Sequence, residues 1–270
     1  MFIDIAMARK LESIEEAGCV GFAQTMGRLR PELGCAVEEI AGGHAAFAGI
    51  GSPVSHALSL GLQGPVSKQE VDRLEDFYFS RGAYVEVVVS PYADPTLMSE
   101  LGKRPYRLTE WNNVYYRPVT REAAPLDPRL VIRPVLPGEV SMWAELVGRC
   151  FASGPENLPM IVELFSVQAE VPDSFALLAT WEGKPAGGAA GMFVRDHGVA
   201  GLYGAGTLPE FRNRGIQTAL LHHRLGLAAD AGCQYAVIVT MPGTASERNV
   251  VRAGFRLAYT KAAFQRALPG

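Results

Sequence analysis

Apolar positions in the last third of the chain follow a helical spacing in some segments and a strand-like run in others. Residues 216–229 carry apolar side chains at helical spacing, which predicts a helix of about fourteen residues that Gly232 ends. The apolar run at residues 235–240 then predicts a buried strand, and a second helix is predicted at residues 245–252, before Gly254. This alternation indicates an α/β arrangement.

The middle of the chain continues the pattern towards the amino terminus. It predicts a strand at residues 130–135, a helix at residues 139–151, and strands at residues 175–181 and 184–194, paired as a hairpin across Glu182-Gly183.

The front of the chain repeats the later order in weaker form. The predicted elements are a strand at 56–62, a helix at 69–81, a strand at 84–89, a helix at 95–101 and a strand at 106–117. They indicate a second, degenerate copy of the later unit, although ordinary α/β alternation gives the same order.

A proline-rich polar stretch separates the two halves. Pro118, Pro125 and Pro128 frame it, and a chain of 270 residues is long enough for about two domains. We therefore predict a front domain at residues 1–119, a linker at 120–128 and a second domain at 129–270.

Composition indicates a folded protein without a nucleic-acid or membrane partner. Hydrophobic residues make up 48% of the chain, charged residues 20%, and the formal net charge is −3. The sequence has neither an apolar span of membrane length nor a signal-peptide pattern, so a cytoplasmic location is expected. The four cysteines lack metal-ligand spacing, and we expect reduced thiols and no metal site.

One turn carries candidate chemistry. Between the strand-like run that ends near Thr207 and the helix that begins at Ile216, the segment Arg212-Asn213-Arg214-Gly215 places two guanidinium groups beside a glycine. A glycine lets the backbone approach a ligand, and the N–H groups at a helix start attract anions. The turn therefore predicts a pyrophosphate site within a basic cluster that also includes His222, His223 and Arg224.

This turn resembles the acetyl-CoA-binding motif of the Gcn5-related N-acetyltransferases (GNAT). The family pattern is Arg/Gln-x-x-Gly-x-Gly/Ala, which Arg212 and Gly215 match, whereas Gln217 replaces the last small residue. We interpret Gln217 as adding an amide donor to the groove. Asn249 followed by Gly254-Phe255 resembles the family's segment that holds the pantetheine arm.

The resemblance covers about residues 129–270 and implies the fold, the co-substrate and its binding residues. It implies an α/β (α+β) chain of two GNAT-like domains in tandem, each a mixed, mostly antiparallel sheet flanked by helices. The front copy has Gln63-Gly64-Pro65-Val66-Ser67-Lys68 in place of the arginine-rich turn, so we expect it not to bind CoA. The co-substrate is acetyl-CoA, and the residues expected to bind it are Gly206, Thr207, Leu208, Arg212, Asn213, Arg214, Gly215, Ile216, Gln217, Thr218 and Asn249.

The family's usual catalytic acid is missing. The position where a tyrosine normally protonates the leaving thiolate is occupied by Val250, and Ser246 lies one helical turn earlier. Ser246 is therefore the candidate catalytic residue, with a helix N-cap as its alternative role and Tyr203 or Tyr259 as alternative acids. No general base is evident, and a water chain would substitute for it.

Several functional hypotheses follow from the resemblance. The first is an acyl-CoA-dependent N-acetyltransferase that transfers the acyl group directly to an amine of a small molecule. The second is a catalytically impaired CoA-binding or regulatory protein. The third hypothesis, ranked last, is that the protein binds a macromolecular acceptor through Trp111, Tyr115 and Tyr116. We otherwise expect these three side chains to face a core or the seam between the domains. The apolar residues around 152–172 favour an apolar or neutral acceptor, and the oligomeric state is monomer or homodimer.

Overall fold

The computed structural model describes residues 2–121 and 127–269, so the middle of the predicted linker lies outside the described residues. In chain order the elements are α1 (Ile5–Leu29), β1 (Ala36–Ile40), β2 (Gly43–Phe47), β3 (Ala57–Leu58), α2 (Lys68–Phe79), β4 (Val85–Val89), α3 (Pro95–Leu101), β5 (Arg107–Pro118), β6 (Leu130–Pro134), α4 (Val140–Phe151), α5 (Leu158–Glu170), β7 (Ser174–Trp181), β8 (Lys184–Val194), β9 (Val199–Thr207), α6 (Ile216–Asp230), β10 (Tyr235–Thr240), α7 (Ala245–Arg252) and β11 (Arg256–Arg266).

The chain divides into two compact units. The first unit consists of Met1–Tyr116 together with Val239–Gly270, and the second unit is Arg117–Ile238. The predicted domain boundaries assign residues 239–270 to the carboxyl-terminal domain. In the structure these residues group with the first unit because β11 pairs antiparallel with both β4 and β5.

The first unit is a mixed sheet with helices packed on it. Its strands follow the order β1-β2-β3-β4-β11-β5, with β3 and β4 parallel and the other neighbours antiparallel. A buried cluster that includes Leu74, Tyr78, Val87 and Leu97 joins α2 and α3 to the strands. Most of the sheet's stabilisation comes from removing this apolar surface from water.

The helix α1 belongs to the first unit and was not predicted. It begins at Asp4, whose side chain accepts a hydrogen bond from the Met7 N–H at 2.8 Å. Its buried face includes Leu11 and Phe22, but also Glu12 and Ser13. These buried polar residues interrupt the apolar spacing that a sequence pattern relies on.

The second unit is a five-stranded sheet with three helices. Its strand order is β10-β9-β8-β7-β6, in which β9 and β10 are parallel and the other pairs are antiparallel. The predicted hairpin turn is confirmed, since Glu182 and Gly183 both have positive φ values, 50° and 76°. Each unit is therefore a mixed, mostly antiparallel sheet with helices, as predicted.

Small residues in β8 let a helix approach the sheet closely. A Cβ atom on Gly188 would lie 2.5 Å from Trp143 Nε1, and the Trp143 indole donates to the Leu177 carbonyl at 3.0 Å. The glycine-rich run at residues 187–191 thus serves packing.

Three local predictions were wrong. The strand predicted at residues 56–62 is only Ala57–Leu58, because Ser59 and Gly61 adopt positive φ values of 62° and 72° that end an extended run. Residues 152–172, for which the pattern predicted loops around the acceptor pocket and no helix, contain α5. Trp111, expected to face a core or seam, is 52% exposed.

Candidate active site

The strand β9 contains a β-bulge directly before the candidate turn. Its pairing with β8 shifts between Gly188↔Gly206 and Ala190↔Tyr203, so Gly204 and Ala205 of β9 lie opposite one residue of β8. Gly204 has φ 58°, and a Cβ atom there would lie 2.6 Å from the Phe165 ring. Glycine is required at this position both for the backbone angle and for the close ring contact.

Beyond the bulge, successive backbone groups face opposite edges of β9. The Leu208 N–H donates to the Ala186 carbonyl of the neighbouring strand β8 at 3.0 Å, so this predicted ligand donor is already engaged. Alternate residues of an antiparallel ladder point their N–H groups away from the partner strand. The Thr207 N–H therefore points away from β8. Thr207 lies beyond residues 199–201, which are the part of β9 that pairs in parallel with β10.

The turn after β9 has the backbone conformation of an anion site. Asn213 and Gly215 adopt left-handed conformations with φ values of 62° and 75°. Such conformations gather successive N–H groups into a concave surface that binds anions. A Cβ atom on Gly215 would meet no atom within 4 Å, so the space beside this glycine is open.

The start of α6 leaves its backbone donors without side-chain partners. Gly215 is the N-cap, it makes no side-chain capping hydrogen bond, and the first turn contains no acidic residue. The first N–H groups of a helix need an acceptor from elsewhere, and a phosphate supplies one. The predicted positions Ile216, Gln217 and Thr218 form this first turn.

Both guanidinium groups of the turn are exposed. Arg212 Nε lies 3.4 Å from the Thr207 carbonyl, and Arg214 Nη2 lies 3.3 Å from the Glu210 carbonyl. Arg214 also stacks 5.1 Å from the Trp181 ring centroid. Within residues 2–121 and 127–269, no carboxylate forms a salt bridge with Arg212 or Arg214.

Gln217 makes two contacts that tie α6 to β9. Its Nε2 donates to the Ala205 carbonyl at 3.3 Å, and its Oε1 accepts from the Thr207 hydroxyl at 3.3 Å. The amide that we interpreted as a ligand donor is thus directed at the bulged strand, where it holds the turn against β9.

The expected basic cluster is not one surface. Arg224 is 4% exposed, and burial lowers the pKa of its guanidinium to about 10. It donates to the carbonyls of Leu220, Ala190 and Tyr203, each at 3.3 Å. Burial also lowers the pKa of His223. The prediction that Arg224 belongs to an exposed basic cluster was wrong, because the helix face that carries Arg224 packs on the sheet.

An apolar wall lies beside the bulge. A Cβ atom on Gly206 would lie 2.5 Å from Cys150 Cβ, and the Phe151 and Phe165 rings lie 5.6 Å apart. Phe165 also contacts Trp143, with ring centroids 5.9 Å apart. Burial raises the pKa of the Cys150 thiol, which favours its neutral form.

The remaining predicted residues lie on α7 in the first unit. Ser246 and Asn249 are exposed there, and Val250 is buried. The N-cap is Thr244, whose side chain accepts from the Glu247 N–H, so the capping role considered for Ser246 is excluded.

The two alternative tyrosine acids are engaged in other contacts. The Tyr259 hydroxyl donates to Glu12 at 2.8 Å inside the first unit. The Tyr203 hydroxyl accepts from Gln168 Nε2 at 2.8 Å.

The sequence reasoning missed three features of the site. The bulge at Gly204 was not predicted, because a register shift between strands leaves no pattern in a single sequence. The close approach of Cys150 to Gly206 was not predicted either. The buried Arg224 was assigned to the surface. Its position at helical spacing from Leu220 and Ala228, both buried, would have indicated the packed face.

Metal and membrane features are absent from the described ranges. No group of three or more histidine, cysteine, aspartate or glutamate side chains there is arranged to hold a metal ion. None of the helices at residues 2–121 and 127–269 has the length and apolar character needed to cross a membrane.

Comparisons with known proteins agree with the geometry. Residues 141–255 match the model of the Acetyltransferase (GNAT) family. No curated protein sequence matches the chain.

Solved structures share the fold at low sequence identity. A GCN5-related N-acetyltransferase from Kribbella flavida is 17% identical, with a TM-score of 0.65 over 94% of this chain and 96% of that one. A tandem GNAT protein from the clavulanic acid biosynthesis pathway is 12% identical, with a TM-score of 0.60 over 87% and 80%. A GCN5-related N-acetyltransferase from Sphaerobacter thermophilus is 19% identical, with a TM-score of 0.52 over 70% and 61%.

The sequence match covers the bulged strand, the turn and α6, and the structural likeness extends over both units. Residues 141–255 are thus similar in sequence to the GNAT family, and the chain shares its two-domain fold with solved structures that include a tandem GNAT protein.

Proposed function

We propose that the second unit binds acetyl-CoA, or a related acyl-CoA, and transfers the acyl group directly to an amine of a small-molecule acceptor. The observation that carries the proposal is the turn before α6. Its left-handed residues, uncapped helix start and exposed arginines are the groups that a pyrophosphate needs.

Backbone geometry supports a role for Thr207 in acyl transfer. Negative charge develops on the thioester carbonyl oxygen as the amine attacks, and a fixed backbone N–H stabilises it. The Thr207 N–H points away from β8 and lies on the strand that Gln217 and Arg212 hold in place. Acetyl-CoA supplies the activated acyl group, and direct transfer needs no covalent enzyme intermediate.

The wall beside the bulge supports a neutral acceptor. Phe151, Phe165 and the raised-pKa thiol of Cys150 provide no charge near Gly206. Such a surface favours an apolar acceptor whose amine is in its neutral, reactive form. Ser246 and Asn249 remain candidate contacts for the leaving thiolate and the pantetheine arm.

Calorimetric titration with acetyl-CoA and free CoA tests the anion site. We expect saturable binding by the wild type and at least about tenfold weaker binding by the Arg214→Ala, Gly215→Glu double variant, because it removes a cation and adds an anion. Arg195→Ala is the matched control, since Arg195 is an exposed arginine of the same unit that pairs with Asp173. Wild-type titrations without heat at millimolar ligand would overturn the proposal.

A second candidate function is CoA binding without turnover, in which acyl-CoA stabilises one conformation of the protein. The observation that favours it is Val250, an apolar buried residue where the family resemblance places a proton donor. Val250→Tyr distinguishes the two functions. The transferase reading predicts faster acetyl transfer by this variant to a panel of amines, measured as released CoA, with the melting temperature as a check on folding. Zero turnover by both folded proteins, together with tight acetyl-CoA binding, would favour the second function.

A further inference from the structure

The first unit buries a cysteine, a histidine and a glutamate from three separate elements next to one another. Cys19 lies on α1, His56 directly precedes β3, and Glu86 lies on β4. Cys19 Sγ is 3.1 Å from His56 Nε2, and His56 Nδ1 is 3.7 Å from Glu86 Oε1. This order of thiol, imidazole and carboxylate is the arrangement that activates cysteine nucleophiles in proteins.

The imidazole is held in its protonated form. Burial alone would lower the pKa of His56, but Cys19, Glu86 and Glu15 raise it to about 10. A doubly protonated imidazole donates from both nitrogens, so Nε2–H points to the Cys19 sulfur and Nδ1–H faces Glu86. When a cation donates a hydrogen bond to a cysteine sulfur, the thiolate is favoured over the thiol.

Other charged and titratable groups surround this triad on every packed element. Glu15 and Glu16 lie on α1, and Glu16 Oε1 is 2.6 Å from His44 Nδ1 of β2. Gln265 of β11 donates to Glu86 Oε2 at 3.4 Å. Tyr78 of α2 lies close enough that the Cys19 charge adds to burial in raising the tyrosine pKa. Of the carboxylates around the triad, Glu86 and Glu15 help to hold the positive charge on the imidazole.

The triad lies just below the surface. Cys19 is 7% exposed, and the side chains of His56 and Glu86 are 16% and 24% exposed. So little exposed sulfur surface excludes a peptide or a coenzyme as its partner, and the alkylation described below measures its access to small reagents.

The other three cysteines have a different environment. Burial raises the pKa of Cys35, Cys150 and Cys233, so each favours the unreactive thiol. The chain therefore contains its own reference thiols for any reactivity measurement.

We propose that Cys19 is a reactive thiolate within the folded first unit, a modification site for small electrophiles and above all for hydroperoxides. The Cys19 sulfur attacks one peroxide oxygen, the O–O bond breaks, and a sulfur–oxygen bond forms. Sulfur loses two electrons and becomes a sulfenic acid, while the departing oxygen takes the proton of His56 and leaves as water or an alcohol. The ion pair between α1 and the sheet is lost in the same step.

Alkylation of the native protein with iodoacetamide, read out by mass spectrometry for each cysteine, tests the reactivity. Near pH 6 an ordinary thiol is less than about 1% ionised, so we expect Cys19 to react at least about tenfold faster than Cys35 in the same sample. His56→Gln should bring the Cys19 rate down to that of Cys35, and Glu86→Gln should lower it partly. Equal rates for the two cysteines, or a Cys19 rate unaffected by His56→Gln, would overturn the proposal.

A second measurement does not depend on access to the sulfur. A variant with Cys35, Cys150 and Cys233 replaced by serine leaves Cys19 as the one thiol, whose ionisation is followed by thiolate ultraviolet absorbance. We expect thiolate absorbance near pH 6 that disappears on unfolding or with His56→Gln, with circular dichroism confirming that the variants are folded. Absorbance that appears only above about pH 8.5, as for a free thiol, would refute the thiolate.

Peroxide treatment completes the test. After brief exposure to hydrogen peroxide, dimedone should trap a sulfenic acid on Cys19 in the wild type and about tenfold less in His56→Gln. Equal trapping on Cys35 and Cys19 would show nonspecific oxidation and overturn the assignment.

Discussion

Two helix starts, one in each unit, follow a strand of a parallel pair and are completed in different ways. The first turn of α2 forms a capping box, in which the Glu70 N–H donates to Ser67 Oγ at 3.3 Å and the Ser67 N–H donates to Glu70 at 2.7 Å. The first turn of α6 has a glycine N-cap and neither a side-chain cap nor an acidic residue. The α2 start is satisfied by its own side chains, whereas the first N–H groups of α6 are left for solvent or a ligand.

The two units also differ in the partners of their buried cations. In the first unit Lys261 is 1% exposed and donates to Glu12 at 2.8 Å and also to Glu15. Burial opposes the charge, but the two carboxylates raise the pKa of Lys261 above its ordinary value. In the second unit Arg224 contacts backbone carbonyls, and no carboxylate at residues 2–121 or 127–269 forms a salt bridge with it.

This difference between the two units indicates where ligand sites are expected in a two-domain fold. A unit that satisfies its own donors and charges gains stability and loses ligand sites, because each paired group is unavailable to a ligand. Groups that remain unpaired cost stability, and they are therefore the ones to examine for binding.

The largest expected effect on stability comes from replacing the buried cations Lys261 and Arg224 by methionine, one at a time. Lys261→Met leaves the buried Glu12 and the partly exposed Glu15 without their cation, and we expect a loss of about 3–5 kcal/mol in the free energy of unfolding. Arg224→Met removes a desolvated charge without orphaning a carboxylate, and we expect less than half that loss. Urea denaturation measures both, with hydrogen exchange reporting each unit separately.

Lys103→Met is the control for the lysine change, because Lys103 is exposed and pairs with Glu100 on the surface. Its expected effect is below about 1 kcal/mol. Equal losses for Lys261→Met and Arg224→Met would show that pairing does not distinguish the two units.

A carboxylate in the first turn of α6 tests the unsatisfied helix start. Thr218 is the third residue of α6, the position that Glu70 occupies in α2. Thr218→Glu should stabilise the helix by up to about 1 kcal/mol through its dipole and weaken acetyl-CoA binding by roughly 10–100-fold through repulsion. Thermal unfolding and calorimetry measure the two effects.

Thr218→Gln is the neutral control of similar size, and it should leave affinity within about threefold. Unchanged affinity of the glutamate variant for acetyl-CoA would place the phosphates elsewhere.

Much of the fold was predictable because local patterns determine it. The helix α6 and the strand β10 have regular spacing, and the hairpin at Glu182-Gly183 has a turn sequence that determines its register. Gly215 was singled out because glycine favours left-handed turns, a property of one residue, and its φ of 75° is of that kind.

The missed features depend on distant contacts. No local pattern shows that β11 pairs with β4 and β5, that β9 is bulged, or that Cys19 meets His56. The helix α1 was not predicted either, because it buries polar groups such as Glu12 whose partners come from the other end of the sequence. Sequence reasoning therefore singled out the turn before α6 but not the charge network of the first unit.

The smallest expected effect comes from opening the capping box of α2. Ser67→Ala removes one acceptor for the Glu70 N–H, and we expect a loss of about 1 kcal/mol in stability with no change in acetyl-CoA affinity. Urea denaturation and calorimetry measure both quantities, and Ser99→Ala, an exposed serine on α3, is the control. The α2 start still lacks the two arginines and the left-handed N-cap of the α6 turn, so an open cap alone should not create a phosphate site. A second acetyl-CoA equivalent bound by Ser67→Ala would show that the capping box alone suppresses binding in the first unit, and that the arginines are dispensable.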